Sequence, residues 1–326
     1  MVTFSGSLLA PFSATKGAEC FIIREAQRDE LKTIGWAAAE AFIHDAIAHY
    51  FSGTTKPMSV MNKADLRALY DLYYFVVKAC MIGGGRVVVA VHVPTIEGSS
   101  GSKAATTIAA VVCWYPPRKR ISALNAIRGG ILRCLRNWGL KGLKRMSEEY
   151  SDTTHGVFEQ AFSSKAIEKP SSGVGIGRQN KGTVLLESDS WYVQLVFSSK
   201  QYEGRGGYPS SMPSGLSFDD LYLGLMSILM REGFAYAHSF TPGIPVTLDA
   251  TSSRARDRYM HLGFELMEPQ TLIGVGKASS RGIAPLKNNP GYGNELTGVP
   301  YWCMVNLACT VGASELVARE RGEHCS

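Results

Sequence analysis

The sequence predicts a mixed α+β chain arranged around one central mixed sheet. Three observations predict it. Short apolar runs rich in β-branched and aromatic residues recur along the chain, as buried strands require. Longer stretches between them place apolar residues at helical spacing. The order is strand, two helices, two strands, an insertion, then strand, helix, strand, helix, strand, strand, which implies helices packed on a mixed sheet in one domain.

Composition agrees. The 326 residues are 45% hydrophobic and 19% charged, enough for a sizeable core and against wholesale disorder. The net charge of +6 suits an anionic ligand but is too mild to argue for nucleic acid. Seven scattered cysteines without a Cys-x-x-Cys pair read as reduced core thiols in a cytoplasmic protein. The histidines show no metal-ligand spacing, so no metal is expected. No apolar run reaches membrane-spanning length.

Each element has its own justification. Residues 1–19 lack a basic start and a long apolar core and predict a flexible leader. Residues 20–24 form a strand, and residues 25–51 a helix carrying Leu31, Ile34, Ala38, Ala41 and Phe42, stopped at Ser52-Gly53. Asn62 caps a second helix with the stripe Leu66, Leu69, Tyr70, Tyr73, Val77, Cys80 and Met81. Residues 86–93 and 106–115 are strands joined by an exposed hairpin loop at 98–102.

Residues 116–190 read as an insertion of helix and loop between two sheet strands. Its first part is basic, with Arg118, Lys119, Arg120, Arg128, Arg133, Arg136, Lys141, Lys144 and Arg145. The plain reading is a solvated helical face; phosphate or partner contact is the sharper one. Another helix is expected over 152–167, and a Gly/Ser/Lys-rich loop over 168–183.

Residues 191–198, opening Trp191-Tyr192, read as a buried strand that runs into Gly204, Gly206 and Gly207. A strand entering glycines ahead of a helix is how a chain builds a phosphate cradle, although a plain turn looks the same. Ser217 caps the next helix, with Gly233 as its stop. Residues 244–250 form a strand, Ser252 or Ser253 caps a short helix, and Gly263 ends it. Residues 264–275 and 301–308 are the last strands, separated by a Gly/Pro/Asn-rich loop, and residues 310–326 form a frayed tail.

The stretch from Pro245 to Glu265 combines a strand, a helix carrying Ala255 and Tyr259, and Leu262-Gly263-Phe264. With the glycine turn after the 191–198 strand, it resembles the GNAT-type N-acetyltransferase superfamily, and fungal small-molecule members most. The resemblance covers residues 20–309 outside the insertion. It implies a mostly antiparallel sheet split by a V-shaped cleft that holds acetyl-CoA as co-substrate and accepts a small-molecule amine.

Carried over, the resemblance implies a pantetheine contact along Leu195, Val196, Phe197 and Ser198. The diphosphate turn would be Glu203, Gly204, Arg205, Gly206 and Gly207, with Ser252 and Ala255 also toward the cofactor. Tyr259 falls on the tyrosine that protonates the departing thiolate. Asp249 is either a base or substrate contact or a cap for the next helix, and Gln194 points into the cleft or is a satisfied core amide. Phe42, Asp45, Trp114 and Trp191 are expected at the acceptor. Asp45, His44 and His49 have a simpler reading as surface residues.

The turn admits two registers. Gln201-Tyr202-Glu203-Gly204-Arg205-Gly206 satisfies the family pattern. Counting without gaps from Trp191 instead puts Glu203 and Tyr208 on its key positions. A carboxylate would then face the diphosphate, and the scaffold would serve an acetyl-CoA-independent reaction in secondary metabolism.

Overall fold

The computed structural model describes residues 12–16, 19–93, 107–165, 185–203, 224–286 and 295–307. Nine strands are paired in it. They are β1 (Phe12–Lys16), β2 (Glu19–Glu25), β3 (Arg86–Val93), β4 (Thr107–Tyr115), β5 (Trp191–Ser198), β6 (Val246–Ala250), β7 (Glu265–Leu266), β8 (Thr271–Ile273) and β9 (Val299–Asn306). The sheet order is β1-β2-β3-β4-β5-β6-β9-β7, with β8 pairing β9 off that path. Every pairing is antiparallel except β5 with β6.

Among the described residues eight α-helices accompany the strands: α1 (Leu31–Ala41), α2 (Ala46–Ser52), α3 (Lys63–Ile82), α4 (Ala123–Gly129), α5 (Ile131–Lys144), α6 (Asp152–Lys165), α7 (Leu225–Phe240) and α8 (Ser253–His261). Strand alternation gives the sheet two apolar faces. Val87, Val89, Val111, Cys113, Leu195, Phe197 and Cys303 face the layer that contains α1 to α3 and α5 to α6. Val88, Val112, Trp114, Val193, Leu248 and Met304 face α7 and α8. Cys80, Cys113, Cys134 and Cys303 are buried free thiols. No helix among the described residues is long and apolar enough to cross a membrane.

The structure corrects five expectations. Part of the supposed leader, Phe12–Lys16, is a strand paired with β2. The helix expected over 25–51 is broken between Phe42 and Asp45. Asp45 takes an extended backbone and caps α2, its side chain accepting from the Ala48 amide at 2.8 Å. A short carboxylate that serves a cap competes with helix continuation. The strand expected over 264–275 is two short ones, β7 and β8. The basic insertion is packed rather than merely solvated. Cys134 and Trp138 enter the core, Asn137 donates to Asp71, and Arg118, Arg120 and Arg133 pair with Asp189, Glu187 and Asp71.

The fifth correction is Gly233, which lies inside α7 instead of ending it. A Cβ there would stand 2.0 Å from Trp114 Cζ2, so the glycine admits the indole against the helix backbone. Gly233→Ala is expected to cost about 1–3 kcal/mol through overpacking, read as an earlier urea midpoint. An unchanged midpoint would contradict this close approach.

The hairpin loop at 98–102, the loop at 168–183, the glycines 204–207 and the cap at Ser217 lie outside the described residues, as does the 310–326 tail.

Candidate active site at the fork of the sheet

β5 and β6 run parallel but pair over only three positions: Trp191 with Val246, Tyr192 with Thr247, and Val193 with Leu248. Beyond them both strands continue without pairing to each other. On the other edge of β5, Val193 pairs Trp114 and Leu195 pairs Cys113, which leaves Gln194 as an extra residue. Such a bulge bends its strand and increases its twist. Here it stands where the two strands part. The sheet therefore forks, and the β6-facing backbone groups of β5 past Val193 have no strand partner in β6.

Asp249 stands on β6 just past the last paired residue. Its Oδ1 accepts a hydrogen bond from the Tyr192 hydroxyl and its Oδ2 one from the Tyr150 hydroxyl. Tyr192 comes from β5. Tyr150 comes from the insertion, on a π-helical turn over Arg145–Ser151 between α5 and α6. Its ring packs against Phe51 and Tyr301, with centroids 5.4 and 5.1 Å away. Tyr301 in turn accepts from Thr154 at 3.2 Å.

Two residues further on, Thr251 donates to Asp45 Oδ2 at 2.6 Å. Phe42 stacks on Tyr73 with centroids 4.8 Å apart, and meets Phe197 edge-on at 5.8 Å. The break between α1 and α2 thus brings Asp45 beside the end of β6 and Phe42 against Tyr73 and Phe197.

Electrostatics follow from this enclosure. Burial pushes the Asp249 carboxyl above its ordinary value, against the pull of the Tyr150 and Tyr192 hydroxyls. Burial likewise pushes Asp45 up, opposed by Thr251 and the Ala48 amide. Tyr150 and Tyr192 are pushed well up by burial and by the neighbouring Asp249 charge. Tyr73 is raised by burial and by Asp45. A half-buried carboxylate held by two neutral phenols, as Asp249 is, can take a proton from a cationic or neutral nitrogen and hold it.

The other predicted residues are placed as follows. Tyr259 is buried on α8 and packs on Phe264, centroids 5.9 Å apart. Burial, then the Asp249 charge, raises its hydroxyl above the ordinary value. Ser252 caps α8 by accepting from the Ala255 amide at 3.2 Å, so the capping role considered for Asp249 belongs to Ser252. Leu195 and Phe197 are buried toward the helices, and Val196 and Ser198 are half-buried. Glu203 is exposed and accepts from Arg254 at 3.0 Å, which ties the exit of β5 to the start of α8. Gly204, Arg205, Gly206 and Gly207 lie outside the described residues.

Trp114 and Trp191 do not join Phe42 and Asp45. Both are buried against α7: Trp114 meets Phe234 edge-on, and Trp191 donates to Thr241 at 2.7 Å. The bulge lies between them and the fork, and strand parity turns them to the opposite face. His49 is buried, not a surface residue. Its ring nitrogens lie 3.1 and 3.0 Å from the Arg281 and Ile43 carbonyls. His44 is exposed and Asp45 is half-buried.

Sequence reasoning missed Tyr73, Tyr150, Tyr192 and Thr251. Tyr192 carried a usable signal, since it falls on the strand face opposite the buried Trp191 and Val193. Tyr150 carried none, being 99 residues from Asp249. Among the described residues no group of three or more His, Cys, Asp or Glu could hold a metal ion.

Fold and site together define a class: a mixed α/β chain whose sheet, mostly antiparallel among the described residues, forks between the parallel pair β5 and β6, with a carboxylate at the fork. No protein-family model matches the chain, and no curated protein matches it. Among solved structures it is similar to a protein described as histone acetyltransferase HPA2 and related acetyltransferase, from Corynebacterium glutamicum. That likeness has 16% identity, 87% of this chain and 94% of that one covered, and a TM-score of 0.40. It is also similar to an agmatine N-acetyltransferase variant (14% identity, 87% and 98% covered, TM-score 0.36). A third is a mosquito arylalkylamine N-acetyltransferase like 5b (14% identity, 88% and 99% covered, TM-score 0.37). At these scores the likenesses decide nothing about activity, and the architecture stands on the chain's own strand pairing.

Proposed function

We propose that the chain is an acyl-CoA-dependent N-acetyltransferase that acts on a small-molecule amine by direct transfer in a ternary complex. The observation that carries this reading is the fork: a parallel pair released after Val193 by the bulge at Gln194. The freed β5 edge from Gln194 to Ser198 offers backbone donors and acceptors to an amide-bearing chain such as pantetheine. The fit is of the right kind, because that edge needs partners and the fork keeps β6 from supplying them.

Acetyl-CoA supplies an activated acyl group. The chain's residues do the rest. Asp249 takes the proton that the amine nitrogen loses as its bond to the acyl carbon forms. The carbon–sulfur bond breaks with its electron pair on sulfur, and Tyr259 gives that sulfur a proton. Solvent returns the proton from Asp249 to Tyr259, so amine and thioester become amide and thiol with nothing left over. Phe42, Tyr73 and Phe197 form an aromatic wall beside Asp45 for the body of the acceptor.

A second reading rests on Glu203. A carboxylate at the exit of β5 disfavours a diphosphate there and favours a scaffold used without acetyl-CoA. Titration calorimetry with CoA decides between them. Saturable heat at or below millimolar CoA is expected, followed by acetylated product from an amine panel. No heat at millimolar CoA removes the transferase reading.

A further inference from the structure

We propose that Tyr150 and Tyr192 are positioning residues for Asp249, so that the insertion completes the site at the fork. This rests on the transferase reading only for the role of Asp249, not for the clamp itself.

The geometry is specific. Each carboxylate oxygen of Asp249 accepts from a different phenol, one from β5 and one from the insertion. Tyr192 is fixed by the sheet, one residue before the last position that β5 pairs with β6. Tyr150 is fixed by ring contacts to Phe51 and Tyr301, and it lies on the π-helical turn that joins α5 to α6. Such turns recur at functional sites. A carboxylate with one free oxygen rotates about its last bond; one held at both oxygens does not. The clamp also sets the protonation of Asp249, because both donors favour the charged form against the burial that opposes it.

Other groups interact electrostatically with Asp249: Tyr259 on α8, Tyr301 and Cys303 on β9, and His155 on α6. Among the described residues, Tyr150 and Tyr192 are the side chains that donate hydrogen bonds to it. The two hydroxyls are therefore the contacts whose removal shifts Asp249 without removing a charge.

Tyr150→Phe keeps the ring that packs on Phe51 and Tyr301 and deletes only the hydroxyl. The test titrates the Asp249 carboxyl by carbon NMR in the full chain, assigned with Asp249→Asn, in wild type, Tyr150→Phe and Tyr192→Phe. Each Phe variant is expected to move the midpoint up by about 1–2 pH units, the size of a hydrogen bond to a charged group. The acid limb of kcat/KM should move by the same amount, with kcat falling and the KM for the amine nearly constant. An Asp249 midpoint unchanged by both variants overturns the clamp. A shifted midpoint in a chain that transfers no acetyl group leaves the clamp standing and removes only the transferase reading.

Discussion

Asp249→Asn is expected to lower kcat/KM for acetyl transfer by about 10²–10⁴-fold while the chain stays folded. The substitution keeps the shape of the side chain but removes its ability to take a proton. An asparagine still accepts from one phenol through its oxygen, and the other phenol turns to accept from its amide. The acid limb of the pH–rate profile should vanish with the carboxylate. In the wild type that limb should lie above the ordinary carboxylate value of about 3.9, since burial raises Asp249.

The same shift makes a stability prediction, with its sign fixed by linkage. A carboxyl held above its unfolded value contributes stability that is complete below the unfolded value. That contribution is lost as pH rises through the folded one. Asp249→Asn has no such loss. Its stability relative to wild type should therefore grow across that window, measured by urea unfolding at successive pH values. Activity within threefold of wild type would remove Asp249 from the chemistry.

The second large effect concerns the fold. Arg86 on β3 and Glu232 on α7 form a buried two-pronged ion pair, with distances of 2.8 and 2.6 Å. Arg86 also donates to Glu25 at 2.9 Å and lies over the Tyr236 ring at 3.9 Å. Glu232→Ala leaves a buried guanidinium facing a void and is expected to cost about 3–5 kcal/mol. The Glu25 carboxylate is half-exposed and compensates only in part. The double variant Arg86→Met with Glu232→Leu should recover most of that loss, because it removes the desolvated charges together. A loss below about 1 kcal/mol for Glu232→Ala would place this pair with exposed ones. Since Trp114 and Gly233 share the same interface, the Gly233→Ala effect should not simply add to it.

Local signals in this sequence are clear where a feature is decided within a few residues. Asn62, Ser252 and Gly53 each mark a helix end because a cap is a contact between near neighbours. The strands β3 to β6 were legible because their apolar and β-branched runs leave little alternative. The resemblance implied a split sheet beside the 191–198 strand, and the pairing of β5 with β6 stops after Val193. The helix break at Phe42–Asp45 was not legible, because the apolar spacing carries on through it and only the cap shows the interruption.

By itself, the sequence determined the order of the elements from α3 to α8 outside the insertion, several helix caps, the buried character of the central strands and the presence of Asp249 at the end of one. Only the tertiary structure decided which aromatic residues meet that carboxylate. Trp114 and Trp191 were turned to the α7 face by strand parity, and Tyr150 was delivered from an insertion with no local mark of its purpose. The physical reason is range: capping and periodicity act over a few residues, whereas the hydrogen bonds at Asp249 join segments 57 and 99 residues apart.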